Sequence, residues 1–420
     1  MKVLWIVNTI FPYPASKLLI KKECFGGWLN GLANSLRNNK EIELAVATVY
    51  DGKIIKKFYD GEFWYFLIPG ASAIKYNYKL EKYWKIIQNE FNPDIVHIHG
   101  TEFSHGLAFI NACPDVKSIT SIQGLVSVCE RVYFGNIPEK TIRKNITLRD
   151  LMKRDNLFQQ KKKFFNRGRN EIELIKKSNA IIGRTEWDFS NTKAISSDEK
   201  YFHGNETLRQ IFYEDKWDIK NIERHSIFTS QGTYPIKGLH YLLEAVYLLK
   251  RKYPDIKLYI AGNNITDTST IKNKLKLTGY GKIIKSIIKK YDLKKQIVFT
   301  GVLDEKEMLK KYLNSNVFVL PSVIENSSNS LGEAMIIGIP CIASNTGGTM
   351  DILEHKKEGF LYPYTEPAMC ADYISRFFED DQLCKNYGEQ ARRKALERHS
   401  PDKNAKRIIE IYKNVIGAKK

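Results

Sequence analysis

Two glutamates, Glu325 and Glu333, frame the stretch "ENSSNSLGEAM" at residues 325–335. The preceding run "VFVLPS" (317–322) reads as a buried strand, and "SLGEAMIIG" reads as a helix with Ser330 near its cap. A helix start among small residues presents unpaired N–H groups and a positive dipole, so Asn329, Ser330 and Leu331 predict an anion seat. Glu333, expected in the first turn, can accept from two vicinal hydroxyls such as a ribose offers. Glu325, across the loop, can reach whatever lies beyond the anion. One anion seat between two hydroxyl acceptors suits a nucleotide sugar. Taken alone, a glutamate at a helix start needs no ligand, since the dipole favours it.

Such a loop works only if strands and helices hold it, and the chain supplies them in alternation. In the first half, "KVLWIV" (2–7), "ELAVATV" (43–49), "DIVHIH" (94–99), "KSITSI" (117–122) and "AIIG" (180–183) are short apolar runs suited to buried parallel strands. "FGGWLNGLANSLRNN" and "NYKLEKYWKIIQNEF" carry helical spacing between them. The pattern restarts with "SIFTS" (226–230), "KLYIAG" (257–262), "QIVFTG" (296–301), "VFVLPS" and "PCIAS" (340–344). At 420 residues the chain exceeds what one core comfortably organises. The expectation is α/β, with two Rossmann-like doubly wound parallel-sheet domains facing a cleft, over 1–215 and 216–395. A terminal helix in 396–420 is expected to pack back across them. Ligands of such sheets bind beyond the carboxyl ends of the strands.

The formal net charge of +19 points to acidic partners. Residues 131–184 hold 15 Lys/Arg against 5 Asp/Glu, with Ile142, Ile146, Leu148, Leu151, Met152, Leu157, Phe158, Phe164 and Phe165 interleaved. That is compatible with basic amphipathic helices on an anionic membrane surface, or rimming a cleft; a solvated helical face reads the same way. A second basic stretch, 263–291, interrupts the later strands. The six cysteines follow no metal spacing, so reduced, mostly buried thiols in a cytoplasmic protein are expected, with no metal site. "MKVLWIVNTIF" is broken at Asn8 and reads as a first strand rather than a signal peptide. No nucleic-acid-binding motif accompanies the basic charge.

The run "LPSVIENSSNSLGEAMIIGIPCIASNTGG" resembles the E-x7-E region of glycosyltransferase family 4, retaining enzymes of GT-B fold. "FGGWLNGLANSL", "NPDIVHIHG", "PIKGLHYLLEA", "LYIAG", "FTGVLDEKEM" and "GFLYP" are similar to further stretches of that family, in order. The resemblance implies a glycosyltransferase moving a sugar from a UDP- or GDP-sugar donor to a glycan or lipid-linked acceptor in bacterial surface polysaccharide synthesis, with no cofactor. Lys237 would meet the diphosphate, Gly26 and Gly27 would admit it closely, and Gly301, Val302 and Leu303 would edge the base. Glu325 would hold the donor sugar and Glu333 the ribose. His99 and His105 are the acceptor-side candidates, His97 and His99 sharing one strand face. Gln231 stands where the family commonly has arginine, and Gln123 where many members have histidine. Those departures keep open a catalytically silent GT-B subunit that binds a glycan or partner protein; the inferred site also leaves open another GT-B enzyme such as an epimerase, and the basic charge leaves open a nucleic-acid-binding protein.

Overall fold

The computed structural model describes residues 1–20, 26–37, 39–70, 75–197 and 200–417. The chain divides into two compact units: residues 1–130, 163–209 and 399–420 form the first, and residues 131–162 and 210–398 the second.

The first unit holds an eight-stranded sheet. Its strands are β1 (Lys2–Ile6), β2 (Glu43–Tyr50), β3 (Lys56–Tyr59), β4 (Trp64–Pro69), β5 (Ile95–His99), β6 (Lys117–Ser121), β7 (Ala180–Gly183) and β8 (Tyr201–His203). Their order is β3-β4-β2-β1-β5-β6-β7-β8. Only the β3–β4 pairing is antiparallel; the others run parallel. The central strands are buried on both faces because helices cover both, as in Ile95–His99, where every residue is buried, His97 and His99 included. The helix Pro401–Gly417 belongs to this unit, where Tyr412 Oη accepts from Trp5 Nε1 at 2.9 Å and lies 2.7 Å from His97 Nδ1.

The second unit holds six parallel strands: β9 (Ser226–Thr229), β10 (Lys257–Ile260), β11 (Ile297–Phe299), β12 (Val317–Leu320), β13 (Cys341–Ser344) and β14 (Gly359–Tyr362). Their order, β11-β10-β9-β12-β13-β14, reverses direction between β9 and β12. In the first sheet the reversal falls between β1 and β5. Loops diverge there, opening a crevice at the carboxyl ends of the strands.

Every strand expected from the apolar runs is present. Four others, β3, β4, β8 and β14, are additional. The division near 209 and the placement of 399–420 with the first unit differ from the expected boundaries, and residues 131–162 belong to the second unit. The stretch 263–291 carries two helices, Ile271–Lys276 and Gly279–Lys290. Among the described residues Cys113, Cys341, Cys370 and Cys384 are buried and Cys129 is half-buried; Cys24 lies outside them. No helix among the described residues is long and apolar enough to cross a membrane.

Candidate functional site

At the switch point of the second sheet, the loops after β9 and β12 meet. Gly238 follows the lysine of "PIKG" in the left-handed region, φ 69°. A Cβ on Gly238 would lie 1.8 Å from the carbonyl oxygen of Pro321, just past β12. Only glycine lets the two loops lie this close. The Val323 N–H donates to the Ile236 carbonyl at 2.8 Å and closes the contact. The consequence is chemical: Lys237 Nζ donates to Glu325 Oε2 at 2.8 Å, and Ser322 Oγ donates to the same oxygen at 3.0 Å. The loop after β13 braces the glutamate from behind, with Gly348 N–H donating to its carbonyl at 3.0 Å.

Both charged side chains of this pair are more than four-fifths buried. Desolvation offsets much of their attraction, so a multiply charged ligand can compete for the ammonium at little net cost.

The helix Asn329–Ile337 starts at the same point. Its cap is Ser328, not Ser330, and the Leu331 N–H donates to Ser328 Oγ at 3.4 Å. That hydrogen bond withdraws Leu331 from the expected anion seat. The first two amides, Asn329 and Ser330, have no acceptor within the helix by its geometry. Ser330 Oγ accepts from Ser230 Oγ at 2.9 Å and lies 3.0 Å from Ser328 Oγ, so hydroxyls from both loops gather there. Because the helix begins at Asn329, Glu333 falls in its second turn rather than its first, only 4% exposed.

Gln231 follows Ser230 at the end of β9, half-buried. Gly301, Val302 and Leu303 follow β11, two strands from β9 and thus about 10 Å away at the usual spacing. The Gly301 carbonyl accepts from Gly262 N–H at 2.8 Å, while Val302 is 58% exposed. A flat apolar group can rest against Val302 there.

The switch point of the first sheet is built from different groups. Beyond β1 and β5, Asn8 Nδ2 donates to Glu102 Oε2 at 3.2 Å. Arg167 Nε donates to the Glu102 carbonyl at 2.6 Å. Gly100, φ 103°, makes room: a Cβ there would lie 2.4 Å from Glu102 Oε2 and 2.9 Å from Asn8 Nδ2. Burial pushes the Glu102 carboxyl up to about 7, reinforced by Glu171 and opposed by Arg167 and Arg184. Beside it, Gln123 Nε2 donates to Glu206 Oε1 at 2.7 Å, and Glu206 pairs with Arg184.

The two histidine candidates are buried rather than presented at the surface of the first unit. His99 and His105 are each 2% exposed, inside the first unit's core. His99 packs among Trp5, His97 and Trp28, its ring 3.7 Å from that of His97. Burial, with His97 beside it, holds His99 well below the usual imidazole range, and burial pulls His105 down to about 4 despite its hydrogen bond to the Val7 backbone. Gly26 caps the helix Gly27–Leu36 with φ 79°. A Cβ on Gly26 would lie 2.6 Å from Thr9, and one on Gly27 2.6 Å from Arg209, so both glycines already serve packing within the first unit. Glu102 was missed because a lone glutamate in a loop carries no motif. Its place two residues after "HG", at the end of a central strand, is the signal that could have marked it.

Residues 213–394 match the family described as glycosyl transferases group 1. The chain is 25% identical over 203 residues to the uncharacterized glycosyltransferase YqgM of Bacillus subtilis, covering 48% of this chain and 53% of that protein. It is 29% identical over 146 residues to N-acetyl-alpha-D-glucosaminyl L-malate synthase of Bacillus anthracis, covering 34% and 38% respectively. The chain thus spans about half the length, or less, of these curated relatives. Sucrose-phosphate synthase from Thermosynechococcus elongatus matches in structure with a TM-score of 0.73, 14% identity and 100% of both chains covered. Anabaena HepE, solved in complex with UDP and glucose, matches with a TM-score of 0.67 and 15% identity over 99% of this chain and 100% of that one. The two doubly wound sheets are the GT-B fold, and the group 1 glycosyl transferase match embraces Lys237, Glu325, Ser328 and Glu333 in the second unit.

Proposed function

We propose that the protein is a retaining glycosyltransferase that moves a sugar from a UDP- or GDP-sugar to a glycan or lipid-linked acceptor in bacterial surface polysaccharide synthesis, in the cytoplasm. The observation that carries the reading is the convergence of the Lys237–Glu325 pair and the Asn329–Ser330 amides at one switch point. A donor diphosphate supplies the anion both features need. Its oxygens would take the two helix amides and draw the Lys237 ammonium from Glu325. Glu325, released, would accept from hydroxyls of the transferred sugar. From there the nucleoside would extend toward β11, with Glu333 below the ribose and Val302 against the base.

As the bond from the anomeric carbon to the diphosphate oxygen breaks, charge grows on the leaving group. Lys237 and the helix amides stabilise that charge. The acceptor oxygen bonds to the anomeric carbon on the face the diphosphate leaves, and the diphosphate takes the acceptor's proton. Glu102 is assigned to hold an acceptor hydroxyl in the first unit, the place His99 and His105 do not fill. Because lysine and amides carry the phosphate charge, transfer is expected to proceed in EDTA.

The test is a screen of UDP- and GDP-sugars for nucleotide release by wild type, Lys237→Ala and Glu325→Ala, with EDTA present. Release by the wild type, lost in both variants, supports the reading. Binding without release by any acceptor tried would favour the silent GT-B subunit. Absence of all nucleotide-sugar binding would overturn both.

A further inference from the structure

The two basic stretches singled out in the sequence, 131–162 and 263–291, lie in the same unit. Together they hold 16 Lys/Arg against 4 Asp/Glu, a net +12 of the chain's +19. They are bonded to each other across more than a hundred residues of sequence. Thr147 Oγ1 donates to the Leu277 carbonyl at 2.7 Å, and the Gly279 N–H donates to Asp150 Oδ2 at 2.8 Å. Asp150 is buried, and it also closes the capping box of the helix Leu148–Lys153. One carboxylate therefore fixes that helix against the start of Gly279–Lys290, and Leu148–Lys153 packs beside Ile271–Lys276.

These two short helices leave their apolar side chains outside. Leu148, Leu151 and Met152 occupy one helical face at i, i+3 and i+4, and Ile271 and Leu275 another at i and i+4. All five are between 55% and 76% exposed, although the helices touch. Ile142 and Leu157, by contrast, are core residues. Lys153, Arg154, Lys272, Lys274 and Lys276 stand along the same helices with no ion-pair partner among the described residues.

We propose that this two-helix patch docks the protein on an anionic phospholipid surface. Aliphatic side chains enter the acyl boundary while the surrounding cations meet lipid phosphates. A protein partner fits less well, since interface cores are depleted of lysine and here lysine alternates through Ile271–Lys276. A single-stranded nucleic acid would call for aromatic stacking platforms, and the five exposed side chains are all aliphatic. The inference deepens the function proposed above, on which it rests only for its purpose: it names the surface where a lipid-linked acceptor would be met. It also relocates the expected membrane face from 131–184 to a pairing of two distant stretches.

The experiment is co-sedimentation of the full chain with phosphatidylcholine vesicles, with and without phosphatidylglycerol. Beside it run Leu151→Ser/Met152→Ser/Leu275→Ser and Lys272→Gln/Lys274→Gln/Lys276→Gln. Wild type is expected to pellet with the anionic vesicles and stay in solution with the neutral ones. Loss of three cations near the surface should weaken partitioning by about 100-fold, and the apolar variant should fall at least as far. Both variants should keep the wild-type melting temperature, since the side chains changed are exposed. A wild type that ignores anionic vesicles, or an apolar variant that pellets as well as wild type, would overturn the proposal. No nucleotide sugar is present, so vesicle binding is read independently of the donor screen: vesicle binding here with no nucleotide-sugar binding there would sink the functional reading and leave this one standing.

Discussion

At the switch point of the second sheet a carboxylate is met by an ammonium; at that of the first sheet a carboxylate is met by a neutral amide. Glu325 has Lys237 and Ser322 at hydrogen-bond distance, while Glu102 has Asn8 at 3.2 Å, with the Glu171 carboxylate and the Arg167 and Arg184 guanidiniums also acting on it. The same topology thus supports two kinds of site. The second brings an ion-paired lysine and two helix amides to one point, a setting that suits the diphosphate of the donor proposed above. The first offers a carboxylate that burial pushes up to about 7, a setting that suits the hydroxylated acceptor proposed above. A donor on one sheet and an acceptor on the other is the division of labour this difference favours.

The comparison breaks most visibly at Lys237. Lys237→Ala should lower kcat by about 100- to 1,000-fold, the usual cost of losing one charge-stabilising donor, with nucleotide release as the readout. Glu102→Gln should cost sugar transfer about 100-fold and spare donor hydrolysis. Sugar transfer by the wild type should rise with pH through about 7 as Glu102 ionises, and this rise should be absent in the variant. The stability sign runs the other way. Between the ordinary carboxyl range and about 7, the folded chain holds a proton that the unfolded chain has lost. Rising pH therefore costs the wild type stability there, and Glu102→Gln should gain in melting temperature relative to it.

Gly238→Ala sharpens the comparison through stability, since it drives a Cβ onto the Pro321 carbonyl in a left-handed conformation. A loss of about 3 kcal/mol in urea unfolding is expected, together with loss of donor binding. The smallest effect belongs to Val302→Asp: a KM for donor raised a few-fold with kcat unchanged, the sign of a contact made equally in ground and transition states.

Much of this was legible in the sequence, and the reasons differ by element. Central parallel strands such as β5 and β12 announce themselves because helices cover both faces and force continuous apolar runs. Trp64–Pro69 was within reach of that criterion. Lys56–Tyr59 was not, because an edge strand alternates exposed and half-buried residues and begins with two lysines. The Lys237–Glu325 pair was legible only as two separate motif positions; their contact depends on Gly238 against Pro321, which spacing cannot reveal. Glu333 was placed a turn too early because Ser328, not Ser330, caps its helix. The burial of His99 and His105 was not legible, because a histidine at a strand end reads alike whether it faces the crevice or the core. The transfer of 131–162 to the second unit depends on Asp150 meeting Gly279, a contact between residues 129 apart.

The most direct test is calorimetric binding of UDP- and GDP-sugars, without metal, to wild type, Lys237→Ala and Glu102→Gln. The account predicts that one donor binds the wild type, binds Glu102→Gln equally well, and binds Lys237→Ala far more weakly. Undiminished binding by Lys237→Ala, or a loss in Glu102→Gln instead, would contradict the assignment of donor to the second sheet and acceptor to the first.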